Sequence, residues 1–195
     1  MSDRALHVVV TGTVQGVGFR PYVLGVARST RCRGVVKNTA RGVEIDVIGD
    51  ALSLEAFVGF LWRALPPARV HSVDASERAP FSASDFRVLT DDTVSAPAAS
   101  LAPDLAPCAA CLDEVLSSST RRARYPFTSC ARCGPRASVA KALPWERAST
   151  TMAPFAMCAG CAHEYTDASD RRFRAETIAC PDCGPKLQFS TTATD

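Results

Sequence analysis

Eight of the nine cysteines in this chain fall in four C-x-x-C pairs, and the pairs repeat. A shift of 50 residues lays "CAACLDEVLSSSTRRARYPFTSCARCGPR" over "CAGCAHEYTDASDRRFRAETIACPDCGPK". Each unit reads C-x2-C-x18-C-x2-C, and Glu114/Glu164, Arg121/Arg171, Arg122/Arg172, Arg124/Arg174, Gly134/Gly184 and Pro135/Pro185 match as well. Four thiolates at this spacing close a tetrahedral structural site. The repeat therefore predicts two structural Zn2+ ions. The simplest assignment keeps each repeat self-contained, with Cys108, Cys111, Cys130 and Cys133 on one ion and Cys158, Cys161, Cys180 and Cys183 on the other. An arrangement with pairs exchanged between repeats uses the same eight ligands and stays open on spacing alone. Gly134 and Gly184, directly after the last cysteine of each unit, suit the sharp turn of a zinc knuckle.

Other uses of the cysteines fit less well. Disulfides need an oxidising compartment, which nothing here indicates. A thioredoxin-like role needs one C-x-x-C on a βαβ frame, and iron–sulfur binding suits this regular spacing poorly. His163 follows Cys161 closely, but Asp113 matches it in the first repeat, so no ligand role follows. Each repeat is short and poor in large apolar residues, so metal binding should be coupled to folding. No chemistry is expected from this half.

The 195 residues hold 47% apolar and 22% charged side chains, a soluble, globular balance. Runs such as "AFVGFL" (56–61) are too short to cross a bilayer, and the start "MSDRALHVVV" has no signal-peptide pattern. Both point to the cytoplasm and away from a membrane. Residues 91–107, "DDTVSAPAASLAPDLAP", carry three prolines among small residues and read as a linker. It divides the chain into residues 1–90, with a single cysteine, and 108–195, with the repeats at 108–133 and 158–183. The runs "RRAR" (121–124) and "RRFR" (171–174) invite a nucleic-acid reading. Charge argues against it: residues 91–195 hold 11 Lys/Arg against 12 Asp/Glu, and eight thiolates with two Zn2+ bring the folded half to −5. These arginines are better placed to offset thiolate charge or to touch a neighbouring domain.

Apolar periodicity in the first half predicts β-α-β-β-α-β. Leu6, Val8, Val10 and Val14 alternate on a first strand. A helix is expected from Pro21, then strands "GVVKNT" and "GVEIDVIG" around a turn at 40–42. A second helix is expected over Leu52–Leu65, stopped by Pro66–Pro67, with last-strand material at 69–78 and 85–89. That order implies an α+β, ferredoxin-like sandwich. His7 and His71 read as ordinary strand histidines, and Cys32 as a small buried apolar residue.

Between the first strand and first helix lies "VQGVGFRP" (14–21). A lone G-x-G is usually an ordinary tight turn. Here the loop (Gln15, Gly16, Val17, Gly18, Phe19) leads into a helix N-terminus, where unpaired N–H groups favour an anion. Its glycines let successive N–H groups point inward, and Arg20 at its mouth matches phosphate oxygens. The loop reads as a phosphate cradle without a Walker lysine.

"GTVQGVGFRPY" with "GVVKNTARGVEIDVIGD" resembles the acylphosphatases over residues 6–90. In that family the loop arginine holds the phosphate and an asparagine on the strand after the first helix orients the attacking water. The resemblance thus implies catalytic roles for Arg20 and Asn38; on the strand pattern alone, Asn38 could equally serve the hairpin turn. With the twin C-x-x-C repeats, "RRARYPFTSCARCGPR", "LPWERASTTMAPFAMCAGCAHEY" and "DRRFRAETIACPDCGP", the whole resembles the HypF family, the carbamoyltransferases of [NiFe]-hydrogenase maturation. Departures are Ser129 for asparagine, Trp145-Glu146 for Tyr-Asp, and Arg174 for histidine.

Membership would imply hydrolysis of carbamoyl phosphate to carbamate and phosphate. Adenylation of carbamate with ATP and transfer to the C-terminal cysteine of HypE would follow, on the route to iron-bound cyanide. Those later steps belong to downstream domains, and no Walker A motif occurs in these residues, so the chain reads as a fragment. The competing reading is a zinc-dependent interaction scaffold whose loop only holds an anion.

Overall fold

A computed structural model describes residues 3–64, 66–90, 103–134 and 137–189. Its first half is a five-stranded sheet with two helices. The elements are β1 (Arg4–Thr13), α1 (Phe19–Ser29), β2 (Arg33–Thr39), β3 (Gly42–Gly49), α2 (Ala51–Leu61), β4 (Arg69–Arg78) and β5 (Phe86–Val88). Strand order is β4-β1-β3-β2-β5. β1 pairs antiparallel with β3 and β4, β2 antiparallel with β3, and the short β5 lies parallel to β2. This is the expected ferredoxin-like sandwich.

The register explains the core. Val8 faces Ile45 across β1–β3, and Ile45 faces Val36 across β3–β2, so one apolar row crosses the sheet. Val23, Leu54, Phe57 and Leu61 from the helices bury against it. β2 alternates strictly, with Gly34, Val36 and Asn38 inward. The last inward position thus carries an amide, 0% exposed, where the pattern calls for an aliphatic side chain.

Two helix limits differ from the sequence reading. α1 starts at Phe19, two residues before Pro21. Gly18, at φ 75°, makes the N-cap, and proline is tolerated in a first turn whose N–H groups lack intrahelical partners. Arg20 therefore belongs to the helix itself. α2 begins at Ala51, capped by Asp50 accepting from the Ser53 backbone, and ends at Leu61, short of the expected Leu65. Leu65 and most of the expected linker lie outside the described residues. Cys32 is buried in the core, and His7 pairs with Asp46 at 2.8 Å on the sheet's other face.

The second half has little regular structure beyond α3 (Ala109–Leu116) and α4 (Ala159–Thr166). Each begins directly after the first cysteine of a repeat, which stands at the N-cap position. Its second cysteine, Cys111 or Cys161, is fully buried. In each knuckle the glycine N–H closes the turn onto a cysteine carbonyl, Gly134 on Cys130 at 2.7 Å and Gly184 on Cys180 at 2.9 Å. No helix among the described residues is long and apolar enough to cross a membrane.

Candidate functional site

The eight repeat cysteines gather into two clusters, each from one repeat. Sulfur–sulfur separations are 3.6–3.8 Å in the first cluster (Cys108–Cys130, Cys130–Cys133, Cys133–Cys111) and 3.6–3.7 Å in the second. A tetrahedron with metal–sulfur bonds of about 2.3 Å has edges of about 3.8 Å, so the donor set fits a Zn2+-sized ion. The self-contained pairing matches this geometry, and either cluster could hold a metal ion.

The matched arginines brace each cluster from the opposite repeat. Arg121 of the first repeat donates to Cys161 Sγ (3.3 Å) and Cys158 Sγ (3.6 Å) of the second. Arg171 donates to Cys111 Sγ at 2.8 Å. Arg122, with its side chain 0% exposed, reaches Cys161 Sγ (3.3 Å), both Glu164 oxygens and the Ala179 carbonyl. Arg172 mirrors it on Glu114 and the Ser129 carbonyl. Burial acts to raise the Glu164 pKa, but Arg122 and Arg121 hold it at about 2. Arg121, Arg122, Arg171 and Arg172 are thus spent on thiolate and carboxylate charge within this half, while Arg174 reaches the Val88 carbonyl of the first half at 3.2 Å.

At the other site, the Gly16–Gly18 loop packs against the second half. Gly16 and Gly18 both have positive φ, 70° and 75°. A Cβ on Gly16 would stand 3.0 Å from Trp145 Nε1, and one on Gly18 would stand 3.3 Å from the Ala131 carbonyl. Val17 and Phe19 turn into the sandwich core. Gln15 is a clip: its Nε2 donates to the Thr39 and Gly42 carbonyls (2.6 and 2.8 Å), and its Oε1 accepts from the Trp145 N–H at 2.7 Å. Its side chain therefore holds the loop, the β2–β3 turn and the Trp145 segment together.

Arg20 and Asn38 converge beneath that segment. Asn38 Nδ2 donates to the Trp145 carbonyl at 2.9 Å, while its Oδ1 is buried without a partner. The Arg20 guanidinium forks onto two carboxylates of the second half: Nη1 onto Glu146 Oε1, and Nη2 onto Glu176 Oε1 at 2.8 Å. All three side chains are nearly sealed from solvent. Burial would lower the arginine pKa, but the two carboxylates raise it. Burial also pushes the Glu146 carboxyl up to about 8, with Glu176 adding to the rise and Arg20 opposing it. Beside these groups lies a cavity of only about 20 Å³.

Glu146, Glu176, Trp145, Tyr165 and Arg174 have no site role in the sequence reading, and they bring the second half into direct contact with Arg20, Asn38 and the loop. Tyr165 donates to both Glu176 oxygens (3.0 and 2.9 Å), and Arg174 stacks over the Tyr165 ring at 5.3 Å. A signal was available in the repeat itself. Tyr165 and Glu176 stand where the first repeat has Val115 and Pro126, so the second repeat breaks symmetry where it faces the anion loop.

Comparison with known proteins agrees with this division. The acylphosphatase family model matches residues 6–88, and the HypF finger model matches residues 108–140 and 157–190. The chain is 45% identical over 154 residues to a carbamoyltransferase HypF of Rhodobacter capsulatus, covering 78% of this chain and 20% of that protein. It is 43% identical over 86 residues to an acylphosphatase of Treponema denticola, covering 44% of this chain and 92% of that protein. A crystal structure of full-length HypF in the phosphate- and nucleotide-bound form superposes with a TM-score of 0.88 at 36% identity, over 99% of this chain and 26% of that one. The chain thus spans about a fifth of the length of the HypF carbamoyltransferases it matches. With an acylphosphatase domain in its first half and paired HypF fingers in its second, the chain belongs to the HypF family.

Proposed function

We propose that this chain hydrolyses carbamoyl phosphate to carbamate and phosphate within a carbamoyl-transfer enzyme. The observation that carries the reading is the convergence of Arg20 and the partnerless Asn38 Oδ1 on the Gly16–Gly18 loop at the start of α1. Loop N–H groups and Arg20 would hold the phosphoryl oxygens. Asn38 Oδ1 would accept a hydrogen bond from a water and so orient its lone pair at phosphorus. The water oxygen bonds to phosphorus as the bond to the carbamoyl oxygen breaks, and that electron pair leaves with carbamate. One water proton stays on the phosphate and the other passes to solvent. Carbamate is already a good leaving group, so positioning and charge stabilisation suffice without a strong base.

The two four-cysteine clusters would each hold a structural Zn2+, keeping the second half folded against the loop. In the complete enzyme, carbamate would pass to ATP-dependent adenylation and then to HypE, in the cytoplasm, on the route to cyanide ligands. The sealing of Arg20 by two carboxylates favours, as the alternative, a scaffold that holds an anion without turning it over. Phosphate release from carbamoyl phosphate by the zinc-loaded chain decides between them. Release above the spontaneous rate supports the hydrolase, and release at the spontaneous rate leaves the scaffold.

A further inference from the structure

Arg20 is the guanidinium at the mouth of the anion loop, yet both arms of its fork are taken. The adjoining cavity, about 20 Å³, has room for about one water molecule and none for a phosphoryl group with its oxygens. An entering phosphoryl group must therefore displace something, and the two carboxylates differ in how firmly they are held. Glu176 accepts from Arg20 Nη2 (2.8 Å), from Tyr165 OH on both oxygens, and from the Arg147 backbone N–H at 3.0 Å. Glu146 accepts from Arg20 Nη1 and has Asn38 Nδ2 at 3.5 Å.

The backbone on either side of Glu146 is pinned. Trp145 N–H donates to Gln15, the Trp145 carbonyl accepts from Asn38, and Arg147 N–H donates to Glu176. The Glu146 side chain can then swing aside by rotation about its own bonds while the segment over the loop stays in place.

We propose that Glu146 is a displaceable stand-in for the substrate's phosphoryl group on Arg20, and that it must carry a proton to leave that place. The proposal rests on the anion-loop reading above. Its electrostatics are set by the groups around the carboxyl: Arg20 from α1, and Glu176 and Arg174 from the second repeat, with Tyr165 hydrogen-bonded to Glu176 behind them. The neighbouring Arg147 guanidinium is turned away onto the carbonyls of Phe155, Glu176 and Ile178. An ionised Glu146 driven off Arg20 would join a bound oxyanion and Glu176 in a sealed space, three anionic groups with only Arg20 and the more distant Arg174 to offset them. Protonated, it yields Nη1 without that repulsion.

The sign of the linkage follows. Burial and Glu176 hold the Glu146 carboxyl at about 8, so it is largely neutral at pH 7 and anion entry there takes up little proton. At pH 8 anion entry takes up about half a proton, and from about pH 9 upward each bound anion must bring one, with affinity falling about tenfold per pH unit.

The test is calorimetric titration of the full, zinc-loaded chain with sulfate, whose charge is constant over this range, from pH 6 to 9.5. Wild type should bind evenly below pH 7 and about fivefold more weakly at pH 9 than at pH 8, with proton uptake visible as a dependence on buffer ionisation enthalpy. Glu146→Gln should match wild type at pH 6–7, show no fall at high pH, and take up no proton. Wild-type affinity that is flat with pH, without proton uptake, overturns the proposal and needs no variant to fold. If sulfate binding depends on Arg20, as Arg20→Ala reports, yet Glu146→Gln keeps the wild-type pH profile, this inference alone falls. If Arg20→Ala binds sulfate like wild type, the anion-loop reading falls and takes the inference with it.

Discussion

On the proposed reading Arg20 and Asn38 contribute in different ways, and substitution should separate them. Arg20→Ala removes a preorganised charged donor, which typically costs ~3–4 kcal/mol of transition-state stabilisation, or roughly 10²–10³ in rate. The loop should keep its path, because Gln15 ties it to the β2–β3 turn and to Trp145, although Glu146 and Glu176 lose their buried cation and the melting temperature should fall. Steady-state phosphate release checks it, and turnover near wild type removes Arg20 from the reaction. Asn38 points its free acceptor into the site and spends its donor on Trp145. Asn38→Ala should therefore depress turnover strongly while competitive inhibition by inorganic phosphate changes little. Parallel loss of phosphate affinity would mean that Asn38 anchors the substrate instead of orienting water.

At the scale of elements, much was legible because it is periodic. The inward row Val8–Ile45–Val36 follows from period-two alternation, and Asn38 stands out as the amide that breaks it. The limits of α1 were less legible. Pro21 marks a first turn without saying which residue opens it, and the left-handed Gly18 sets the true start. The acidic partners of Arg20 had no local signature, since they lie 126 and 156 residues away and no period links a loop to so distant a carboxylate. The broken repeat symmetry at Tyr165 and Glu176 hinted at one of them, and Glu146, which lies between the repeats, had no such signal. The contact between loop and indole gives this scale its own prediction. Gly16→Ala forces an L side chain to φ 70°, costing roughly 1–2 kcal/mol, and drives its Cβ against Trp145 Nε1. The melting temperature should fall, and indole emission should shift to the red as Trp145 is pushed toward water while the half-exposed Trp62 stays constant. Unchanged melting with unchanged emission would show that Trp145 does not press on the loop.

For the molecule as a whole, the question is what the metal clusters support. Each cluster is braced by arginines from the other repeat, so loss of metal at one removes charge that the other's arginines were placed to meet. Among the described residues the second half has only small apolar clusters of its own, one of them made of cysteines alone. It should unfold when the metal is removed. The sandwich should not, because its core is built from residues of the first half, with Phe173 and Ala168 the contributions from the second half among the described residues. The proposed anion site stands between these two fates. Its loop and Arg20 belong to the sandwich, whereas Glu176, which fixes the guanidinium, and the Trp145 carbonyl, which fixes Asn38, belong to the metal-dependent half. Chelation of the full chain should therefore leave the strand signal and the sandwich's melting transition intact, yet lower phosphate release by roughly 10–100-fold, as catalytic groups lose their orientation by about an ångström. Zinc returned in a ratio of two per chain should restore the rate. Full activity after chelation would mean that the sandwich positions Arg20 and Asn38 unaided, and that the second half roofs the site without helping it.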